Sequence, residues 1–222
     1  MKERPILFTP ENTRRIISGE KVQTRRVLKQ QPPTSCAYLT QQEHPLGMRV
    51  WGFTDGGTLD PAWWPWIENE QAWLRCPYGV PGDRLYIKEG IVKHASIPHL
   101  VGYRLDGCKV TESWEKHLTA MFMPKWAARY WLEITNIKVE RVQDITAEDA
   151  LAEGISKTDY WKPKEVDGKP FEEKWWDDYE FWQRYPQIAF KNLWDSINKK
   201  KHSWDSNPWC WCISFRRLKE QL

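Results

Sequence analysis

The sequence predicts an α+β fold in which short strands form a small β-barrel flanked by helices. Three observations favour this class: strand-like alternation over residues 130–142, helix start and stop signals at two separate places, and a closing strand-like run at residues 209–215. The chain has 222 residues, which is long enough for a sizeable core. We expect one domain, residues 1–222, with insertions at about 30–75 and 156–180.

The N-terminal elements carry the clearest local signals. Residues 5–8 have the composition of a first strand, and Thr9 is suited to be the N-cap of a helix that Gly19 ends. Residues 21–28 would leave that glycine as an extended segment. Lys21 therefore lies where a helix ends and a strand begins, a place where side chains often line a pocket.

The remaining elements follow the same kinds of signal. Residues 81–83, of sequence PGD, predict a turn before a strand, and Thr146 predicts the N-cap of a helix that ends at Gly154. Apolar residues at helical spacing predict a second long helix over residues 181–197. Residues 95–120 lack steady periodicity and are expected to be irregular.

The composition limits which cellular compartment and which partners we expect. No run of about 18 apolar residues exists, which excludes a transmembrane helix, and the N-terminus lacks a signal peptide, so we expect a cytoplasmic protein. The first 29 residues hold eight Lys/Arg against three Glu, which fits a phosphate-bearing partner or an ordinary solvated surface. The 16 tryptophans could stack on nucleobases or fill the core.

The five cysteines are expected to be reduced, since their number is odd and no secretory signal is present. Cys210 and Cys212 alternate along a predicted strand and so share one face, where we expect buried thiols. Neither cysteine nor histidine spacing matches a metal site, and no phosphate-binding glycine loop occurs. The sequence predicts no metal and no cofactor.

Residues 19–26, of sequence GEKVQTRR, carry the most informative chemistry. If the segment is extended, alternation places Lys21, Gln23 and Arg25 on one face and Thr24 and Arg26 on the other. A turn at Lys21 could still bring its amine beside the Thr24 hydroxyl. A partly desolvated lysine can act as a base or oxyanion partner, and an arginine fork suits phosphate or a base edge. A basic surface strand is the alternative.

The G-x-K-x-x-T-x-R pattern of this segment resembles the signature of ASCH domains, relatives of the PUA RNA-binding fold. The resemblance covers about half of the chain, and it continues over residues 81–87, 130–142, 150–154 and 208–217. The layout also resembles a larger version of the family that bacteriophages and prophages commonly encode. The two insertions and the Arg25-Arg26 pair depart from the small members.

The resemblance implies a PUA-like barrel with a cleft, and several activities. Some small ASCH proteins are amidohydrolases that deacetylate N4-acetylcytidine with a lysine, a threonine and a glutamate. Those positions fall on Lys21, Thr24 and Glu153 of this chain. Other members are described as ribonucleases, and the wider class was proposed to bind RNA.

We weigh three functions. The first is binding of RNA or a modified nucleoside, with Lys21, Gln23, Arg25 and Arg26 as contact residues. The second is a hydrolase in the same cleft, either an N4-acetylcytidine amidohydrolase or a ribonuclease, with Glu153 completing the set. The third is a phage accessory protein that binds a host protein through its insertions. The sequence leaves the substrate and the oligomeric state open.

Overall fold

A computed structural model describes residues 1–29, 31, 38–43, 49–54, 76–155, 165–166, 169–170 and 179–219. Most of the two predicted insertions therefore lie outside the described residues. The chain divides into two compact units. The first consists of residues 1–19, 77–136 and 215–222, and the second of residues 20–76 and 137–214. The expectation of a single domain stays a prediction.

The described elements are mixed, as the predicted α+β class requires. The helices are α1 (Pro10–Ser18), α2 (Ala147–Ala152) and α3 (Tyr179–Asn198). The strands are β1 (Glu3–Leu7), β2 (Gln23–Val27), β3 (Tyr38–Glu43), β4 (Arg49–Thr54), β5 (Arg84–Lys88), β6 (Ile91–His94), β7 (Val101–Tyr103), β8 (Trp114–Leu118), β9 (Trp131–Arg141), β10 (Glu165–Val166), β11 (Lys169–Pro170) and β12 (Trp209–Leu218). Over the described ranges these strands form sheets, and no closed barrel is found among them.

In the first unit, β1 runs parallel to β5, and β5 pairs antiparallel with the start of β9. Alternation along β5 buries Leu85 and Ile87. The predicted turn before this strand is confirmed: Gly82 has a φ of 90°, and the Asp83 carboxylate accepts a hydrogen bond from the Lys2 backbone N–H at 2.6 Å. This turn therefore ties the start of β5 to the N-terminus.

Helix α1 begins and ends where its caps predict. The Thr9 hydroxyl accepts a hydrogen bond from the Asn12 backbone N–H at 3.2 Å, which satisfies one of the free donors of the first turn. Gly19 ends the helix with a φ of 86°, a conformation that side chains with a Cβ rarely adopt.

The expectation that residues 95–120 are irregular was wrong in part. β7 and β8 lie there, on either side of β6, and they form a three-stranded antiparallel sheet. Both strands are short, β7 is half-buried throughout and the described side chains of β8 are half-buried or exposed, so neither shows alternating burial. They form because they pair with β6, whose Ile91 and Val92 are buried.

In the second unit, β2 pairs antiparallel with β12, so that Thr24 lies opposite Ile213 and Arg26 opposite Trp211. The strand order there is β9-β12-β2. The core of this unit combines residues of α2, α3 and β12, among them Ala150, Phe190 and Cys210.

Two further expectations concern this unit, and a third concerns all of the described helices. Cys210 and Cys212 are free and fully buried, as predicted. α3 contains Pro186 within the helix and begins two residues before its predicted start. No helix in the described part of the chain is both long and apolar enough to cross a membrane.

Candidate functional site

Two loops that follow helices bring the candidate residues of the second unit together. Lys21 and Val22 lie between the end of α1 and β2, and Glu153 is the C-cap of α2. The Val22 backbone N–H donates to the Ala152 carbonyl at 2.9 Å. This hydrogen bond fixes the segment that precedes β2 against the last turn of α2, so Lys21 meets the carboxyl end of that helix.

Lys21 and Glu153 form a buried ion pair. The Lys21 Nζ donates to Glu153 Oε2 and to the Glu153 carbonyl oxygen, both at 2.6 Å. The two side chains are only 3% and 5% exposed. The last carbonyls of a helix lack partners within the helix and carry partial negative charge, so a buried ammonium is favourable at this position. The structure thus joins a lysine and a glutamate that are 132 residues apart.

Arg25 connects this pair to two further carboxylates. Its guanidinium lies 3.5 Å from Glu153 Oε1, 2.8 Å from Asp149 Oδ2 and 3.3 Å from Glu140 Oε2. Burial lowers the pKa of Arg25, but the negative charges of Glu153 and Asp149 and a hydrogen bond to Asp149 act in the opposite direction, so that the pKa lies above its ordinary value. Arg25 therefore serves as the central cation of a buried charged cluster.

Lys138 completes the charge balance of this cluster. Its Nζ lies 2.7 Å from Glu140 Oε1 and 3.2 Å from Asp149 Oδ2. Burial by itself raises the pKa of Asp149, but hydrogen bonds from Arg25 and Lys138 outweigh burial and hold that pKa below its usual value. Three cations thus face three carboxylates. Lys21, Arg25 and Glu153 are buried, whereas Lys138, Glu140 and Asp149 are 37%, 24% and 19% exposed. We call the six residues together the buried charged cluster, after its centre.

Among the described residues, two buried atoms of the cluster lack a hydrogen bond: Arg25 Nε and Glu153 Oε1. Glu153 Oε1 is buried and accepts no hydrogen bond from any residue that the structure describes, although it lies 3.5 Å from an Arg25 nitrogen. A buried acceptor left without a donor costs about 1–3 kcal/mol, so such atoms are uncommon and often mark functional sites. The free oxygen is an acceptor that an N–H or O–H group of a ligand could satisfy.

The other predicted site residues lie along β2. Gln23, Thr24 and Arg25 are buried, and Arg26 is half-buried. With its amide oriented to satisfy both partners, Gln23 donates to Asp149 Oδ1 at 3.0 Å and accepts from Arg25 at 3.3 Å. Gln23 therefore contacts two members of the buried charged cluster, and Gln23 and Arg25 alternate along the strand with Thr24 and Arg26. The catalytic and binding roles of these residues stay predictions.

Sequence reasoning missed Asp149 and Glu140 as members of the site. Asp149 stands three residues after the N-cap Thr146, a spacing that indicates a capping role alone. Its backbone N–H does donate to the Thr146 hydroxyl at 3.1 Å, but its carboxylate points to Arg25. The alternation of β9 predicts that Glu140 lies on a strand and says nothing about Arg25, which is 115 residues away. No local signal could have joined these residues.

The described residues contain no group of three or more metal-ligating side chains arranged to hold a metal ion. The carboxylates of the buried charged cluster are instead paired with lysine and arginine.

Comparison with known proteins gives a limited result. No family model matches the chain, and no curated protein does. Among solved structures, the chain is similar to one described as a high-resolution crystal structure of an ASCH domain from Lactobacillus crispatus JV V101. The match has 9% sequence identity and a TM-score of 0.38, and it covers 97% of this chain and 79% of the other. The chain is similar to a solved ASCH domain, the family that its GEKVQTRR segment resembles.

Proposed function

We propose that the second unit binds a nucleoside, either within RNA or as a free modified nucleoside, and that Lys21 and Glu153 contact its base. The observation that carries the proposal is the buried Lys21–Glu153 pair with one carboxylate oxygen, Oε1, lacking a hydrogen bond. A carboxylate accepts a hydrogen bond from the exocyclic amine of cytosine, and each good base contact contributes about 1–3 kcal/mol of discrimination. The cluster supplies such an acceptor in a desolvated place.

The burial of the cluster favours recognition of a base over recognition of the phosphate backbone. Arg25 is enclosed by carboxylates, so a phosphate would have to displace partners that already neutralise it. In this proposal Arg25 and Gln23 position Glu153 and Asp149, and Arg26 provides the basic contact with the nucleic acid. The PUA-like barrel, the phage or prophage origin, the cytoplasmic location and a host protein partner remain predictions from the sequence.

A second candidate is hydrolysis of N4-acetylcytidine in the same place. Its support is the 2.6 Å contact between an amine and a carboxylate in a buried setting, which is the arrangement of a general acid paired with a general base. Glu153 would take a proton from water as the water oxygen attacks the acetyl carbonyl. Lys21 would give a proton to N4 as the carbon–nitrogen bond breaks, leaving acetate and cytidine. Thr24 would contact the substrate from β2.

The test combines titration calorimetry with mass spectrometry of the nucleoside. Purified protein is titrated with cytidine and with N4-acetylcytidine, and the second mixture is then assayed for release of the acetyl group. We expect the wild-type protein to bind, and Glu153→Gln to weaken binding by roughly tenfold or more, since the amide presents a weaker acceptor. Turnover lost in Glu153→Gln and in Thr24→Val would establish the hydrolase.

The controls separate a lost site from a lost fold. Lys21→Met leaves the buried Glu153 carboxylate short of a partner and is expected to destabilise the unit, so the milder changes Glu153→Gln and Thr24→Val are used instead. Lys191→Ala removes an exposed lysine from the same unit and should bind as the wild type does. Each variant is checked by its thermal unfolding temperature. If folded wild-type protein binds neither nucleoside and does not deacetylate N4-acetylcytidine, the proposal is wrong.

A further inference from the structure

The first unit contains a cavity that the proposed function does not use. Its volume is 420 Å³, within the range of about 300–1,000 Å³ that small-molecule sites occupy. Its lining comes from the start of α1, the end of β5 and the segments around β7 and β8, and it includes Phe8, Lys88, Gly90, Arg104 and His117. All of these residues belong to the first unit, so the residues that line the cavity are different from those of the Lys21 site.

The charge of the lining is strongly positive. Arg14, Lys88 and Arg104 line the cavity, and Glu89 is the single acidic residue among the described lining residues. The Glu89 carboxylate is already neutralised, because Arg129 donates to its two oxygens at 2.9 and 3.1 Å. Among the described residues, the carboxylate that pairs with Arg14 is that of Glu11, at a distance of 3.9 Å. The cavity thus presents three cations to whatever enters it.

Two of these cations are held without a carboxylate partner. The Lys88 Nζ donates to the Met121 carbonyl, and Arg104 donates to His117 Nε2 at 3.3 Å. Within the described part of the chain neither cation forms an ion pair with an acid. A guanidinium can only donate, so His117 accepts at Nε2 and orients the arginine while leaving its charge uncompensated. Uncompensated cations that neutral groups hold in place are ready to bind an anion.

Part of the cavity lining, which we call the floor, is apolar. Phe8 is half-buried and packs its ring 6.1 Å from that of Phe215, and Leu105 and Ala120 add further apolar surface. Gly90 has no side chain, and a Cβ there would lie 3.4 Å from Arg104 Cδ and 3.6 Å from His117 Nε2. A Cβ at this position would thus be in van der Waals contact with both side chains. An aromatic, planar group fits the apolar floor, and an anionic group fits the three cations.

We infer that this cavity binds a nucleoside 5′-monophosphate group, with the base on the apolar floor and the phosphate between Lys88, Arg104 and Arg14. A phosphate monoester carries a charge of about −1.5 to −2 at neutral pH, which matches three cations better than a single carboxylate does. Arginine forks bind phosphate oxygens in pairs, and lysine adds a point charge. The volume is near the lower limit for ligand sites, which favours one nucleotide over two.

The experiment measures how much of the affinity comes from the phosphate. The full chain is titrated by calorimetry at low salt with adenosine 5′-monophosphate, adenosine and inorganic phosphate. We expect the nucleotide to bind at least tenfold more tightly than either fragment. Lys88→Met and Arg104→Met should each weaken nucleotide binding roughly tenfold, the size of one charge-assisted hydrogen bond. An RNA trinucleotide with and without a 5′-phosphate then distinguishes a free nucleotide from a phosphorylated RNA end.

A matched arginine provides the control. Arg216 lies in the same unit, is 66% exposed and does not line the cavity, so Arg216→Gln should bind the nucleotide as the wild type does. Thermal unfolding confirms that each variant is folded. The inference is overturned if the nucleotide does not bind, if adenosine binds equally well, or if Arg216→Gln weakens binding as much as the cavity variants.

Discussion

Each unit of this protein surrounds one arginine with carboxylates, and the two arginines differ in depth. Arg25 in the second unit is 1% exposed and contacts Glu153, Asp149 and Glu140. Arg129 in the first unit is 21% exposed and contacts Glu89 and Asp106. An arginine paired with carboxylates thus occurs in the interior of the second unit and near the surface of the first.

The surroundings of the two arginines follow from this difference. Arg129 stacks on aromatic rings, with its guanidinium carbon 3.9 Å from the Tyr103 ring centre and 4.8 Å from that of Tyr130. Water can reach part of the group, and the Asp106 side chain is 56% exposed. Arg25 has charged partners in place of solvent. A buried group therefore depends on every partner, whereas a half-exposed group can exchange a partner for water.

The largest expected effect is that of Arg25→Met on stability. Removing the central cation takes a partner from the buried Glu153 and from the half-buried Glu140 and Asp149, and breaking a buried ion pair costs about 3–5 kcal/mol of unfolding free energy. Arg129→Met should cost less, about 1.5–3 kcal/mol, because only Glu89 is left buried and water can replace the arginine at Asp106. Urea unfolding, followed by tryptophan fluorescence, measures both. If Arg129→Met lowered the unfolding free energy as much as Arg25→Met or more, the burial of the arginine would not determine how much each cluster stabilises the fold.

The next effect concerns pH. The pKa of Asp149 is lowered in the folded protein, so its ionised form stabilises the fold above the unfolded pKa of about 3.9. That contribution is lost as the pH falls through the lower, folded pKa. We therefore expect Asp149→Asn to be less stable than the wild type at pH 7, with the difference shrinking below about pH 4.

Asp106 provides the matched comparison for this pH effect. Hydrogen bonds from Arg129 also lower its pKa, but its side chain is mostly exposed. Asp106→Asn should change stability in the same direction as Asp149→Asn and by less. Unfolding free energies over pH 3–8 measure both differences, and a constant difference for Asp149→Asn would contradict the assignment.

The smallest effect is kinetic and concerns the thiols. Burial raises the pKa of both Cys210 and Cys212, so little thiolate forms at pH 8 in the folded protein. Cys108 is half-buried and should be alkylated first. Iodoacetamide labelling with peptide mass spectrometry, with and without urea, follows the three residues separately. Labelling of Cys212 at the rate of Cys108 without urea would mean that the second unit opens readily.

Local signals predicted the elements that frame the candidate site. Thr9 and Gly19 bound α1, and Thr146 begins the helix that Glu153 caps, as their side chains and backbone preferences indicate. Alternation predicted β9 and β12, and it predicted that Gln23 and Arg25 lie apart from Thr24 and Arg26. These signals depend on residues within about four positions of each other along the chain. The sequence alone therefore shows them.

Such local signals did not predict the strands within residues 95–120, because β7 and β8 depend on the neighbouring strand β6 for their hydrogen bonds. They failed again for the partners of Arg25. Asp149 and Glu140 are polar residues on a helix and a strand, and nothing near them in sequence says that they face a buried guanidinium.

The sequence by itself determined the α+β class, the caps and strands around residues 9–27 and 130–155, and the candidate trio of Lys21, Thr24 and Glu153. Only the tertiary structure decided that the Lys21 amine contacts Glu153, that Arg25 is enclosed by carboxylates, and that three cations line a cavity in the first unit. The reason is physical. Caps and alternation depend on neighbours along the chain, whereas the burial of a charge and the choice of its partner depend on residues that folding brings close from more than 100 positions away.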